Sequence, residues 1–251
     1  MLDFDGTLAP FVRERMQARP YAGVCERLES LCANPRIRLV LISGRGAVEL
    51  ASLLPSGLKL EIWGSHGRER LDPGGIGYAA LPLRAAQQQC LEQLEAAVRE
   101  RGYAHAIEKK VGSIALHTRG LTQWDAHQIT AIAREFSCSI PADPEDSGLE
   151  WLPFDGGVEL RGSGCTKATA VHSILRDELS GTPVAYLGDD LTDEDAFAAI
   201  HASRSRNPGL AVLVRPESRP SAADLWLRPP DELLAFLDRW LAAAGAPGDR
   251  P

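Results

Sequence analysis

Lysine is scarce in this chain: Lys59, Lys109, Lys110 and Lys167 are four among 27 basic residues. A chain so biased to arginine keeps lysine where drift has not replaced it or where an ammonium is needed. The first reason alone could cover all four, so the scarcity only marks positions to inspect. Cysteine occurs five times, at Cys25, Cys32, Cys90, Cys138 and Cys165, an odd number with no CxxC spacing. That argues against a disulfide framework or a zinc site and for reduced, buried thiols. No basic-plus-apolar leader opens the sequence, and no apolar run approaches membrane-spanning length. The expectation is a cytoplasmic protein with no membrane partner. Positive charge is in deficit, with a formal net charge of −7. This argues against a nucleic-acid partner held through phosphates, and it means an anionic substrate would need local cations. Repeats and low-complexity segments are absent too. What is there, 251 residues with 44% hydrophobic and 24% charged, suits one large domain or a core with a smaller insertion.

The pattern of apolar residues points to an α/β fold. After an opening strand around Leu2–Leu8, Pro20 to Leu31 reads as a helix with Val24, Leu28 and Leu31 on one face. The run from Arg38 to Ile42 is continuously apolar after its first residue, the mark of a strand buried on both faces. A helix through Val48 to Leu54 and a strand from Leu58 to Trp63 follow. Strand alternating with helix predicts a doubly wound, parallel-sheet (Rossmann-like) core. The rhythm breaks at Pro73-Gly74-Gly75. Beyond it the sequence predicts a helix over Arg84–Arg101, a strand over Val111–Thr118, a helix over Gln123–Phe136, and extended pieces at Ser137–Pro141 and Leu149–Leu152. This reads as a smaller inserted α+β cap domain over 73–155. The core rhythm is expected to resume at 156, giving a core of 1–72 and 156–251. It would contain an extended Val158–Leu160, a helix over Thr166–Leu179, a buried strand at Val184–Leu187 and a helix from Asp193 to His201. A strand at Leu210–Val214, a helix over Asp231–Ala243 and a disordered tail from Gly245 complete it.

Chemistry gathers where strands end. Asp3 and Asp5 lie one residue apart, hence on one face of a strand, and Gly6 allows a sharp turn just after them. Two acids held together repel unless a cation or a shared proton relieves them. A divalent metal site in which one carboxylate is also a nucleophile is one reading; an exposed edge strand ending in an Asp-Gly turn is the other. Ser43, Lys167 and the trio Asp189, Asp190 and Asp193 also fall at strand ends or loops of the core, where open α/β sheets place their ligands. Singly, each has a plain explanation as a turn, a solvated cation or helix-terminal acids. Two phosphate motifs are excluded: Gly162-Ser-Gly-Cys-Thr-Lys167 lacks the glycine before lysine of a P-loop and the third glycine of a dinucleotide fingerprint.

Taken in order, Asp3-Phe4-Asp5-Gly6-Thr7, Ser43, Lys167 and Gly188-Asp189-Asp190-Leu191-Thr192-Asp193 resemble the four signatures of the haloacid dehalogenase superfamily of phosphohydrolases. The resemblance implies that Asp3 attacks phosphorus and that Asp5 moves the proton. It implies Mg²⁺ held by Asp3, Asp189 and the backbone carbonyl of Asp5. Ser43 and Lys167 would bind the phosphoryl oxygens, with Gly6, Thr7, Asp190 and Asp193 in support.

Within that superfamily the chain is similar to the trehalose-6-phosphate phosphatases. The similarity is carried by Ile107 to Arg119 in the insertion, by Gly64-Ser65-His66-Gly67-Arg68-Glu69 and by Gly157-Val158-Glu159-Leu160-Arg161. It implies sugar contacts from Glu108, Lys110 and Glu159, with His66, Glu69 and Arg119 as further substrate-binding residues. A small-molecule sugar phosphate as substrate and a functional link to a trehalose-phosphate synthase follow from the same resemblance. A disaccharide has many hydroxyls for carboxylates and a cation to meet. The rivals are a phosphatase for another glycosyl phosphate, such as glucosyl- or mannosyl-phosphoglycerate, and a non-catalytic sugar-phosphate sensor. Thr118 stands where the family has tyrosine, and Ala168 where it has glycine. Only Met1 and Leu2 precede Asp3, fewer apolar residues than a central buried strand normally has, so the expectation is a strand that has lost its beginning.

Overall fold

Leu2 is the hinge of the main sheet. The computed structural model describes residues 1–12, 14–138, 148–154 and 156–245, and in it Leu2 bridges two strand systems in parallel, at Leu41 and at Leu187. In chain order these systems contain β1 (Val40–Ile42), β2 (Glu61–Gly64), β3 (Glu69–Leu71) and β4 (Tyr78–Ala80), then β9 (Val184–Gly188), β10 (Gly209–Val214) and β11 (Leu225–Leu227). The spatial order is β4-β3-β2-β1, then Leu2, then β9-β10-β11. The opening strand is therefore reduced to a bridge, kept in place by Leu2 N–H to Val40 and Asp3 N–H to Leu187, each at 2.9 Å. Parallel pairing of β1 with β2 and of β9, β10 and β11 fits the doubly wound expectation. The pair β3 and β4 and the edge strand β11 lack a long apolar run, and the sequence reading passed over them.

Alternation along these strands feeds two apolar layers. Leu41, Leu187 and Val212 join Leu28, Leu31 and Leu233 in one cluster, with α1 (Val24–Ala33), α2 (Ala47–Leu53) and α7 (Asp231–Ala244) contributing. Their neighbours Val40, Ile42, Tyr186 and Leu213 join Val171, Ile174, Phe197 and Ile200 in the other, from α5 (Lys167–Asp177) and α6 (Glu194–Ala202). Both faces of each central strand are apolar because both are covered by helices.

Contacts divide the chain into Met1–Ala79 with Thr166–Pro251, and Ala80–Cys165. The second unit pairs β5 (Ile107–Lys110), β6 (Ser113–His117), β8 (Gly157–Gly162) and β7 (Leu149–Phe154) in that order, all antiparallel. One face of this sheet, with Ile114, Leu116, Val158 and Leu160, buries against α3 (Ala85–Glu100) and α4 (Gln123–Cys138). Two expectations change here. The strand around Glu159 does not resume the core; it is β8 of the second unit, so the contact boundaries fall later than 73 and 155. The strand expected over Val111–Thr118 is the second arm of a hairpin that turns at Gly112, whose φ is +79°. The extended piece expected at Ser137–Pro141 and the tail beyond Gly245 lie mostly outside the described residues. Among the described residues no helix is long and apolar enough to cross a membrane.

Candidate active site

Three loops at strand ends of the first unit and the start of α5 build the site, and Asp3 is its centre. Asp3 follows directly on Leu2 and is buried, with Lys167 Nζ at 3.0 Å from its Oδ1. Lys167 can reach because it is the first residue of α5, whose start is fixed by Thr166 accepting from the Ala168 N–H at 3.2 Å. Its ammonium also donates to Asp193 Oδ1 at 2.7 Å. Burial opposes that charge, but Asp193 and Asp3 outweigh it and hold the lysine above its ordinary value.

Asp193 ties the acid loop together. Its Oδ1 accepts from Lys167 and from the Tyr186 hydroxyl at 2.6 Å, and its Oδ2 accepts the backbone N–H groups of Asp189 and Asp190 at 3.0 and 3.1 Å. Asp190 closes the same turn by accepting from the Thr192 N–H and hydroxyl. Burial works against Asp190's charge, but Lys167 and Thr192 keep its carboxyl below the usual range. Asp189 lies against the first loop. Thr7 Oγ1 approaches its Oδ1 at 3.5 Å, and a Cβ on Gly6 would fall 2.1 Å from its Oδ2. With φ at +82° as well, position 6 admits only glycine.

Asp5 has a different partner. Arg45 forks it, Nε to Oδ2 at 2.6 Å and Nη2 to Oδ1 at 2.7 Å, while its Nη1 reaches Glu49 at 2.7 Å. The guanidinium is buried and lies 5.7 Å from the Phe4 ring centre. Sequence reasoning treated Arg45 as part of a turn. The available signal was its place two residues after Ser43, at the end of an apolar run. Ser43 itself is buried, and its hydroxyl oxygen accepts the Arg45 N–H at 3.2 Å.

Other expected substrate residues are placed less simply. His66, at φ +56°, sets its ring over Gly44, where an added Cβ would lie 2.8 Å from the imidazole. Glu69 is buried, with Oε1 accepting from Ser65 and Oε2 from the Ala47 N–H and the Tyr78 hydroxyl, both at 3.2 Å. Its oxygens thus meet the start of α2, the loop before β3 and Tyr78 of β4. In the second unit, the sheet face opposite the helices is polar. Register puts Lys110 opposite Ser113, and Glu108 and Glu159 on either side of Ala115. Lys110 Nζ meets Glu159 Oε2 at 2.7 Å, and Ser113 donates to Glu159 Oε1 at 2.6 Å. Glu108 pairs with His117 at 2.7 Å. Arg119 is exposed beyond the end of β6, its side chain beside Gly156. So the structure gathers Glu108, Lys110 and Glu159 on one surface.

Among the described residues, Asp3, Asp189 and Asp193 form a group whose ligand atoms lie within 4.8 Å of one another. Unit charges at that separation repel by roughly 3–4 kcal/mol at an effective dielectric near 20, and Lys167 alone cannot balance three acids. Burial, then the neighbouring acids, push both Asp3 and Asp189 well above the usual carboxylate range. Because Asp193 already serves four donors, Asp3 and Asp189 are the acids left to face a cation. An all-oxygen, charge-rich donor set of this kind fits a hard divalent ion. The side chain of Asp5 does not join the group, and Asp193, expected only in support, does.

Comparison with known proteins adds the following. A family model described as trehalose-phosphatase matches residues 1–231. A trehalose-phosphate phosphatase from Mycolicibacterium paratuberculosis is 33% identical, with 94% of this chain and 60% of that protein covered. A protein from Thermoproteus tenax named as a bifunctional trehalose-6-phosphate synthase/phosphatase is 32% identical over 78% of this chain and 26% of its own length. The chain thus spans less than two thirds of the length of each of these relatives. Among solved structures, the C-terminal domain of a Candida albicans trehalose-6-phosphate phosphatase superposes with a TM-score of 0.74 at 22% identity, covering 96% of this chain and 91% of that one.

Proposed function

The chain belongs to the trehalose-phosphatase family, and from that premise we propose that it is a Mg²⁺-dependent phosphatase releasing trehalose and phosphate from trehalose 6-phosphate. The observation that carries the proposal is the buried Asp3 carboxylate at 3.0 Å from Lys167, beside Asp189.

In this reading Asp3 Oδ attacks phosphorus, and the bond to the sugar oxygen breaks with a proton supplied by Asp5. The result is trehalose and an aspartyl phosphate on Asp3. Asp5 then takes a proton from water, whose oxygen attacks phosphorus and frees Asp3 and inorganic phosphate. Lys167 and Ser43 bind the phosphoryl oxygens, and the ammonium offsets the charge that collects on them. Mg²⁺, held by Asp3, Asp189 and the Asp5 carbonyl, would supply further charge neutralisation and a template for the phosphoryl group. Asp193 and Asp190 hold Lys167 and the acid loop in register. Glu108, Lys110 and Glu159 read the sugar, and residues 80–165 act as the specificity domain. A functional link to a trehalose-phosphate synthase is part of the same proposal.

Phosphate release measured on a panel tests it. Trehalose 6-phosphate is expected to give the highest kcat/KM, and Asp3→Asn to lose turnover on every substrate by several orders of magnitude. A higher kcat/KM on glucosyl- or mannosyl-phosphoglycerate would move the substrate assignment. An active Asp3→Asn would end the mechanism.

A further inference from the structure

Asp189 leaves β9 in a turn whose N–H groups are bound by Asp193. The carbonyl side of that turn is bound from the segment that follows β10. Arg219, in the segment after β10, donates Nη2 to the Asp190 carbonyl at 2.6 Å and Nε to the Asp189 carbonyl at 3.4 Å. Arg215 adds Nη1 to the Asp189 carbonyl at 3.4 Å. Arg219 is itself fixed: its Nη1 pairs with Glu194, the first residue of α6, and donates to the Pro220 carbonyl at 2.8 Å. Glu194 also accepts from the Ser221 hydroxyl at 2.7 Å and the Ala222 N–H at 2.8 Å. The segment 219–222 is thereby fastened to the start of α6, and through Arg219 to both carbonyls of the acid loop.

We propose that Arg219 is a positioning residue for the cation site, holding the Asp189–Asp190 backbone so that the Asp189 carboxylate stays aimed beside Asp3. The inference rests on the reading of Asp3 and Asp189 as cation ligands. Its physical basis is that a carboxylate on a free turn must be ordered when the ion arrives, whereas a turn bound on both its N–H and its carbonyl side is ordered beforehand. A guanidinium close to a cation site would by itself repel the ion. Glu194, paired with the same guanidinium, cancels most of that repulsion, so ordering outweighs charge. Arginine suits the task because its donors are spread over three nitrogens, so Nε, Nη1 and Nη2 each meet a different acceptor, whereas an ammonium carries its three donors on one nitrogen. No sequence motif marks Arg219; it lies far from the acidic loop along the chain and meets it only through the β9–β10 pairing.

Binding of Mn²⁺ to the full chain without substrate, followed by the loss of the free-ion paramagnetic resonance signal, tests this apart from activity. Arg219→Ala is expected to bind Mn²⁺ roughly 10- to 100-fold more weakly than the unaltered protein. Arg219→Lys keeps a cation for Glu194 but not the second carbonyl contact, so it is expected to fold with an unchanged melting temperature and to bind several-fold more weakly. Wild-type Mn²⁺ affinity in a folded Arg219→Lys protein would overturn the proposal even if Arg219→Ala failed to fold. No Mn²⁺ uptake by the unaltered protein would overturn the reading of the acids as a cation site, and the inference with it.

Discussion

Asp5 spends both of its oxygens on one guanidinium, which sets the question of how it reaches a leaving group. Arg45 offers donors only and takes one lone pair on each Asp5 oxygen, at 2.6 and 2.7 Å, so in the proposed mechanism the second lone pair of either oxygen remains for the proton exchanged with a substrate or water oxygen. Arg45 is anchored independently by Glu49, which is also paired with Arg15. Arg45 is therefore a fixed point that orients Asp5. Orientation matters most where proton donation matters most. A sugar alkoxide is a poor leaving group and needs the proton; an activated aryl oxide does not. Arg45→Ala is accordingly expected to lower kcat on trehalose 6-phosphate by about 10²-fold while lowering it several-fold less on p-nitrophenyl phosphate. Steady-state kinetics on the two substrates check it, and equal losses would assign Arg45 to folding alone. At this scale Asp3 and the acid loop are readable because each follows the apolar residues of a strand, whereas Lys167, preceded by Gly162-Ser-Gly-Cys-Thr, is readable only as a member of the ordered set of signatures. Arg45, Tyr186 and Arg219 were not readable: their importance lies in partners 7 to 40 residues away, which spacing does not reveal.

The hairpin β5–β6 with β8 shows the same division between elements. Alternation announced β6 and the apolar face of the sheet. It could not announce that β8, whose Val158 and Leu160 alternate with Glu159 and Arg161, pairs with β6 instead of joining the main sheet, since both sheets offer a buried face to such a strand. Once paired, period two does the rest. Ser113, Lys110, Glu108 and Glu159 share a face because they are register partners or stand next to one, and that face lacks the helices that cover the other. Lys110 is mostly buried, at 12% side-chain exposure, and Glu159 at 8%. Removing either takes away the opposite charge that meets its partner at 2.7 Å in a dry setting. If this surface reads sugar hydroxyls, Lys110→Ala is expected to raise KM for trehalose 6-phosphate by one to two orders of magnitude and to leave KM for p-nitrophenyl phosphate nearly unchanged. A parallel rise for both substrates would remove the sugar role from this strand face.

The whole chain carries apolar cores in two contact units. Leu94, Val98, Ile129 and Leu160 belong to a cluster confined to Ala80–Cys165, whereas the two clusters around the main sheet draw only on the other unit. Each unit has its own sheet and helices, so each can melt on its own account, and a single two-state transition is not the natural expectation for such a chain. Differential scanning calorimetry is expected to resolve two transitions. Leu94 is fully buried on α3, and truncating a buried leucine to alanine costs about 2–5 kcal/mol. For a unit of this small size that lowers its own midpoint by roughly 10 °C or more. Leu94→Ala should therefore move one transition and leave the other within a degree or two, and Leu41→Ala, in the first unit, should do the reverse. The inequality is what the argument depends on, because a protein whose cores were energetically one would shift both transitions together in both variants.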